Sequence, residues 1–217
     1  MVTYNLGAAV RGLIFDMDLT LYRHDDYYSS QLKNQVVLLA QDLGRTVADL
    51  ETAIDAWDAD FRAANAGKKP SFGNTLLGAL GVPIAQSVEL RRRAIRPEDY
   101  LVRDERLIAA LEQLESRAKL VLVTNNPADI ARRTLVALGV EKYFPRIIGL
   151  DESGHSKPHP RAFDLAYSAL DLAPTQVVAI GDRYPVDLEV PVSRGSGGVL
   201  VESMDDVYAL PALLALA

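Results

Sequence analysis

Cysteine is missing altogether. Disulfides, thiolate-bound metals and a cysteine nucleophile are therefore excluded. Histidine occurs three times, as His24, His155 and His159, with no metal-ligand spacing, and all three read as surface or loop residues. No apolar run reaches the roughly 20 residues that a membrane span needs. Met1 to Val10 has no basic segment leading into a long apolar stretch, so no signal peptide is expected and the cytoplasm is the expected compartment. A surplus of basic charge is absent too. The formal net charge of −6 leaves no footprint for nucleic acid or an anionic membrane. What is present is ordinary: 217 residues, 49% hydrophobic and 24% charged, enough for one large domain or a core with a modest second lobe.

The informative stretch comes early. Gly12-Leu13-Ile14-Phe15 is a short apolar run that ends abruptly in Asp16-Met17-Asp18-Leu19-Thr20. Such a run suits a strand buried on both faces, as in a parallel sheet. Two carboxylates do not belong inside that strand, but they fit at its carboxyl end, where open α/β sheets place their ligand crevice. Two acids in one crevice repel each other unless a cation lies between them, and hard divalent metals prefer oxygen ligands. An isolated pair of this kind is commonly a turn or a helix cap. Its meaning depends on what the rest of the chain adds.

From Leu21 to about Tyr100 the chain reads as helical, with no strand-like alternation. Ser29 or Ser30 is expected to cap a helix through Leu38, Leu39 and Ala40, and Thr46 to cap the next, with Ile54, Trp57 and Phe61 at helical spacing. Gly67 and Pro70 interrupt it, a helix through Leu76 and Leu80 closes at Gly81, and Pro97 ends the last one. Trp57 is expected in the core of this lobe, and Asn65 to Asn74, with Lys68 and Lys69, as a solvated interhelix loop in preference to a loop facing the site. Arg91-Arg92-Arg93 with Arg96 reads as an exposed face offset by Glu98 and Asp99.

After Asp104 strands and helices alternate. Leu120-Val121-Leu122-Val123, Ile147-Ile148-Gly149-Leu150, Val177-Val178-Ala179-Ile180 and Gly197-Gly198-Val199-Leu200-Val201 read as strands, with a last helix from Val207 to Leu214. This rhythm predicts an α/β fold with a doubly wound parallel sheet. The first strand ends at Asp16 and Asp18, the second at Thr124, and the fourth at Asp182 with Asp187 soon after; Lys157 starts the helix before the fourth. A parallel sheet gathers all of them at one edge. Three or four carboxylates, a lysine, a hydroxyl and backbone N–H groups suit phosphoryl transfer. No serine–histidine–acid set competes, and Gly195-Ser196-Gly197-Gly198 lacks the strand before it and the helix after it that a nucleotide fingerprint needs.

Asp16-Met17-Asp18-Leu19-Thr20, Thr124-Asn125, Lys157-Pro158 and Gly181-Asp182 with Asp187 resemble the four ordered motifs of the haloacid dehalogenase (HAD) superfamily. The resemblance is to a phosphatase-type member, phosphoglycolate phosphatase-like, with a helical cap of the first type. It implies a Rossmann-like core over residues 1–21 and 102–217 and an inserted cap over 22–101, with hinges near 21–24 and 100–104. Asp16 would be the nucleophile that forms an aspartyl-phosphate, and Asp18 the general acid and then base. Thr124, Asn125 and Lys157 would hold the phosphoryl group. Asp16, the backbone carbonyl of Asp18, and Asp182 would bind Mg²⁺, with Asp187 an outer ligand or a partner for Lys157. Where the family often has asparagine before the last acid, this chain has Val186, which puts one hydrogen bond near that acid in question. Arg183 is given no catalytic role. His24 and Asp25 follow the first motif closely enough to approach a substrate.

Asp18 separates the broad chemistries. A halide leaves without a proton and the dehalogenase branch lacks this residue, whereas an alkoxide needs a proton. The expected activity is hydrolysis of a small phosphomonoester such as phosphoglycolate, a sugar phosphate or a nucleoside monophosphate. A phosphomutase of the β-phosphoglucomutase type keeps both aspartates and stays open, as does a non-catalytic phosphate-ligand-binding protein on the same fold. The expected partner is a small phosphorylated metabolite, not nucleic acid or a membrane, and the oligomeric state is left open.

Overall fold

The computed structural model describes residues 1–7 and 10–214. Six strands, β1 (Val2–Tyr4), β2 (Gly12–Phe15), β3 (Lys119–Val123), β4 (Ile147–Ile148), β5 (Val177–Gly181) and β6 (Gly197–Leu200), form one sheet in the order β1-β6-β5-β2-β3-β4. β2 lies at the middle, with Phe15 opposite Leu122 of β3 and Ile180 of β5. Five strands run parallel, and β1 pairs antiparallel with β6, Val2 opposite Leu200. The sheet is therefore mostly parallel rather than wholly so. β1 escaped the sequence reading because it is a three-residue edge strand with two exposed side chains, and it shows no apolar run.

Successive side chains of the central strands point to opposite faces. Leu13, Phe15, Leu120, Leu122, Val178 and Ile180 meet α5 (Glu105–Glu115) and α6 (Ala128–Leu138) on one face. Ile14, Val121, Val123, Val177 and Ala179 meet α8 (Arg161–Leu170) on the other. Each fully buried leucine or phenylalanine in these layers contributes roughly 1.5–3 kcal/mol. Two sequence expectations are corrected here. The third expected strand stops at Ile148, because Leu150 already opens the short helix α7 (Leu150–Ser153), and the last helix is two, α10 (Met204–Tyr208) and α11 (Leu210–Leu214), after α9 (Glu189–Ser193).

Between β2 and β3 lie α1 (Asp25–Leu43), α2 (Val47–Ala64), α3 (Phe72–Leu80) and α4 (Ile84–Ala94). They share an apolar cluster of their own, built from Val36, Leu39, Leu50, Leu76, Val82 and Leu90. α1 starts earlier than expected. His24, not a serine, is its cap, with Nδ1 accepting the Tyr27 N–H at 3.3 Å, and Ser29 and Ser30 lie inside the helix. Thr46 caps α2 in a reciprocal pair with Asp49, an arrangement typically worth about 1 kcal/mol. Trp57 stacks on Phe61 with ring centroids 5.2 Å apart and lies flat against α3, where a Cβ on Gly78 would come within 2.2 Å of it. Where the chain crosses between lobe and sheet, Tyr27 stacks on Tyr100 at 5.3 Å. Ion pairs also bridge the two: Lys68 to Glu189 at 2.9 Å, and Arg92 to Asp129 and Asp151 at 3.1 and 3.2 Å. No helix of the described residues is long and apolar enough to cross a membrane.

Candidate active site

β2 delivers two carboxylates to the edge where the parallel strands end. Asp16 prolongs the ladder, its N–H donating to the Ile180 carbonyl at 2.9 Å. The chain then turns sharply. The N–H groups of Thr20 and Leu21 both donate to the Met17 carbonyl, at 3.2 and 2.9 Å, and Leu19 adopts the left-handed conformation at φ 60°. For a residue other than glycine that conformation costs about 1–2 kcal/mol, which the surrounding bonds must offset. The turn buries Met17, brings Asp18 to the cavity, and folds Thr20 back so that its hydroxyl donates to Asp16 Oδ2 at 2.9 Å.

Lys157 lies beneath Asp16, in the loop before α8 rather than at a helix start. It is 2% exposed, and Nζ donates to Asp16 Oδ1 at 2.6 Å, Asp187 Oδ1 at 2.7 Å and the Val123 carbonyl at 2.9 Å. Burial alone would lower its pKa, but the carboxylates of Asp16 and Asp187 outweigh that and raise it, so the ammonium persists. The second oxygen of Asp187 accepts the Arg183 N–H at 3.1 Å. This approach depends on Gly181, since a Cβ there would sit 2.4 Å from the Asp187 Cβ. Val186, the departure from the family pattern, is simply buried.

Asp182 differs from its neighbours. No described donor hydrogen-bonds its carboxylate, and the Arg183 Nε stands 3.9 Å away. Burial, then the charges of Asp16 and Asp187, push its pKa up to about 7. Oxygens of Asp16, Asp182 and Asp187 all lie within 4.8 Å of one another. A hard divalent cation such as Mg²⁺ fits this set: oxygen donors only, negative charge in excess, and one carboxylate without a partner. Asp16 and Asp182 face the cavity and are placed to hold it. Asp187 has both oxygens engaged and holds Lys157 instead. The side chain of Asp18 is not in the cluster; a metal contact there would fall to its backbone carbonyl.

Asp18 is held by three side chains that the motifs did not point to. Oδ1 accepts from the Tyr22 hydroxyl at 2.5 Å and from Gln31 Nε2 at 3.0 Å, and Oδ2 accepts from Asn126 Nδ2 at 2.8 Å. Burial and then Asp16 raise its pKa, with the Tyr22 and Gln31 bonds and Lys157 acting against them. Thr124 is buried behind the wall, its Oγ1 accepting the Asn126 N–H at 3.1 Å, while Asn125 lines the cavity and accepts the Lys157 N–H at 2.7 Å.

The cavity has a volume of about 220 Å³. The sheet side supplies Asp16, Asp18, Leu19, Asn125, Asn126, Asp182 and Arg183, and the helical side Tyr28, Gln31, Gln35, Ile54, Asp58, Lys69, Pro70, Phe72, Thr75 and Arg91 among others. Two expectations fail here. The 65–74 segment is not merely a solvated loop, for Lys69, Pro70 and Phe72 face the acids and Lys68 is tied to Glu189. Arg91 is not on an exposed face but is 3% exposed on the inward stripe of α4 with Ser87, Leu90 and Ala94. Glu98 pairs with Arg133 instead of offsetting the arginine run. The spacing of Arg91 from Ser87 and Ala94 was the available signal, masked by the arginines beside it. His24 and Asp25 do not line the cavity.

The sequence profile of a family described as haloacid dehalogenase-like hydrolase matches residues 10–190. Over 88 residues the chain is 32% identical to the pyrophosphatase PpaX of Listeria welshimeri, covering 40% of this chain and 41% of that protein. Over 67 residues it is 39% identical to a phosphoglycolate phosphatase of Salmonella paratyphi A, covering 31% of this chain and 27% of that protein. The matches thus span less than half the length of either relative. A HAD phosphatase from Thermococcus onnurineus superposes with a TM-score of 0.61 at 21% identity, over 94% of this chain and 98% of that one, and shares the fold. With the profile spanning most of the sequence, the chain belongs to the haloacid dehalogenase-like hydrolases.

Proposed function

We propose that the protein is a Mg²⁺-dependent phosphatase that hydrolyses a small phosphomonoester through an aspartyl-phosphate, with residues 22–101 acting as a cap over a core of 1–21 and 102–217. Lys157 pairs with Asp16 and orients it. An Asp16 oxygen attacks phosphorus, the bond from phosphorus to the ester oxygen breaks, and Asp18 gives its proton to that oxygen, so the alcohol leaves neutral. Asp18, now a carboxylate, takes a proton from water, which attacks the aspartyl-phosphate and returns inorganic phosphate and free Asp16. Asn125, on the cavity wall, positions the phosphoryl oxygens, and Thr124 behind it accepts the Asn126 N–H and holds that turn in place. Asp16 and Asp182, with the Asp18 carbonyl, would hold Mg²⁺, which supplies charge neutralisation for the phosphoryl oxygens when bound. The cap moves about 21–24 and 100–104 and excludes water when closed.

The observation that carries this reading is Asp18. A carboxyl group with raised pKa, held by Tyr22, Gln31 and Asn126, faces the same cavity as the lysine-bound carboxylate of Asp16. Asp16 is placed to attack and Asp18 to exchange a proton with the leaving oxygen, which is the division of labour that ester cleavage requires. Two relatives named as phosphate-releasing hydrolases support it. The test is phosphate release from a panel of phosphomonoesters with Mg²⁺, wild type beside Asp16→Asn and Asp18→Asn. Turnover abolished by chelation and by Asp16→Asn is expected. A folded protein that binds Mg²⁺ and releases phosphate from no compound would sink the reading.

A further inference from the structure

α4 carries three consecutive arginines that meet different fates. Arg92 pairs with Asp129 and Asp151 at 3.1 and 3.2 Å, and Arg93 with Asp42 at 2.6 Å. Arg91 is the buried one, and no described carboxylate forms an ion pair with it. Its bonds stay within its own helix: Nη1 donates to the Ser87 carbonyl at 3.2 Å and to the Ser87 hydroxyl oxygen. Nε and Nη2 have no acceptor among the described residues, and the side chain forms part of the wall facing Asp16 and Asp18. Burial lowers its pKa to about 10, with Asp18 acting in the opposite sense, so the guanidinium stays charged at neutral pH.

A buried charge without a counter-charge is among the least favourable arrangements in a protein. Packing does not demand it, since Val88, Leu90 and Ala94 fill the same inward stripe with apolar groups. The carboxylate that α2 adds to the wall, Asp58, accepts from the Thr75 hydroxyl at 2.9 Å and lies 3.8 Å from Arg62 instead. A guanidinium offers a planar fork that matches carboxylate or phosphate oxygens.

We propose that Arg91 receives a second anionic group of the substrate, a carboxylate or a second phosphate, while the scissile phosphomonoester faces Asp16 and Asp18. The assignment rests on the phosphatase reading above and narrows it to compact substrates with an anionic group at each end. The cavity of about 220 Å³ keeps the spacer between them short. No bond is made or broken at Arg91; it binds and orients.

The test pairs substrates that differ only in the distal group. Phosphoglycolate is compared with ethylene glycol monophosphate, and ethylene glycol bisphosphate with the same monophosphate, so the two arms separate carboxylate from phosphate. Wild type is expected to favour an anionic member by roughly 10- to 100-fold in kcat/KM. That ratio should collapse toward unity in Arg91→Gln and survive in part in Arg91→Lys, which keeps the charge but not the fork. Calorimetric binding of phosphonoacetate against ethylphosphonate, with wild type, Asp16→Asn and Arg91→Gln, reads the same preference without turnover. Equal rates on both members of each pair in wild type, or a preference untouched by Arg91→Gln, overturn the assignment; phosphate release in that case leaves the phosphatase reading standing. No phosphate release from any compound, with a phosphonoacetate preference that vanishes in Arg91→Gln, removes the phosphatase reading and keeps the anion site. If circular dichroism shows Arg91→Gln unfolded, the wild-type ratios and Arg91→Lys decide.

Discussion

The two walls of the cavity are built to different standards. On the sheet side most polar groups already have partners: Lys157 spends all three N–H bonds, Asp187 uses both oxygens, and Asp18 is gripped by three donors. On the helical side Arg91 lacks a counter-ion, and the buried Gln35 Oε1 has no hydrogen-bond partner among the described residues. A wall complete without ligand is preorganised for chemistry, and one left incomplete waits for a particular ligand to finish it. Asp182 and the guanidinium of Arg183 are exceptions on the sheet side, and the unsatisfied carboxylate of Asp182 is where the proposed cation would bind.

The largest expected effect breaks the complete wall at its centre. Asp16→Asn should cut phosphate release by on the order of 10⁴-fold or more, read in single-turnover assays, because no other group replaces the nucleophile. Asp18→Asn should cost roughly 10²- to 10⁴-fold with alkyl phosphates and much less with aryl phosphates, whose leaving oxygen hardly needs a proton. Equal losses on both ester types would count against the general-acid role. Lys157→Met leaves Asp16 and Asp187 buried without their cation, and urea unfolding should register a loss of about 3–5 kcal/mol.

A subtler comparison concerns Asp182 and pH. Its pKa is raised from 3.8 to about 7 in the folded protein, by burial and then by the charges of Asp16 and Asp187. The folded state therefore binds a proton that the unfolded state has lost, so this group's contribution is full below about pH 4 and disappears as pH rises through about 7. In the proposed metal site a divalent cation would replace that proton. The Tm increment from Mg²⁺ should accordingly be greater at about pH 8 than at about pH 6, and Mg²⁺ affinity should fall by up to roughly tenfold per unit below about pH 7. An increment independent of pH would remove Asp182 from the metal site. Smallest is the exposed Lys68–Glu189 pair between the walls. Glu189→Gln should change stability by less than about 1 kcal/mol, and any effect on kcat should vanish at high salt.

What could be read in advance followed from locality. The residues at strand ends sit next to the apolar runs that form the strands, so Asp16, Asp18, Thr124 and Asp182 were found together with β2, β3 and β5. β1 was overlooked because an edge strand paired on one side needs no buried run. Tyr22, Gln31 and Asn126 lay hidden for another reason. Gln31 is one polar residue in a largely polar helix, and only the docking of α1 over the sheet turns it toward Asp18. The choice among Arg91, Arg92 and Arg93 is likewise made by tertiary packing, not by composition. His24 was passed over as a cap because serines nearby are the commoner choice.

Gly181 carries a consequence for how this protein can vary. It touches no substrate in the proposed chemistry and its backbone needs no unusual angles, so by ordinary criteria a small side chain would be admissible. Yet the space a methyl group would take is held by Asp187, at 2.4 Å. In a saturation-mutagenesis library selected for activity, position 181 should be as depleted as the acids themselves, with even alanine disfavoured. Sequence drift at the far end of β5 is thereby constrained by the lysine that Asp187 has to reach.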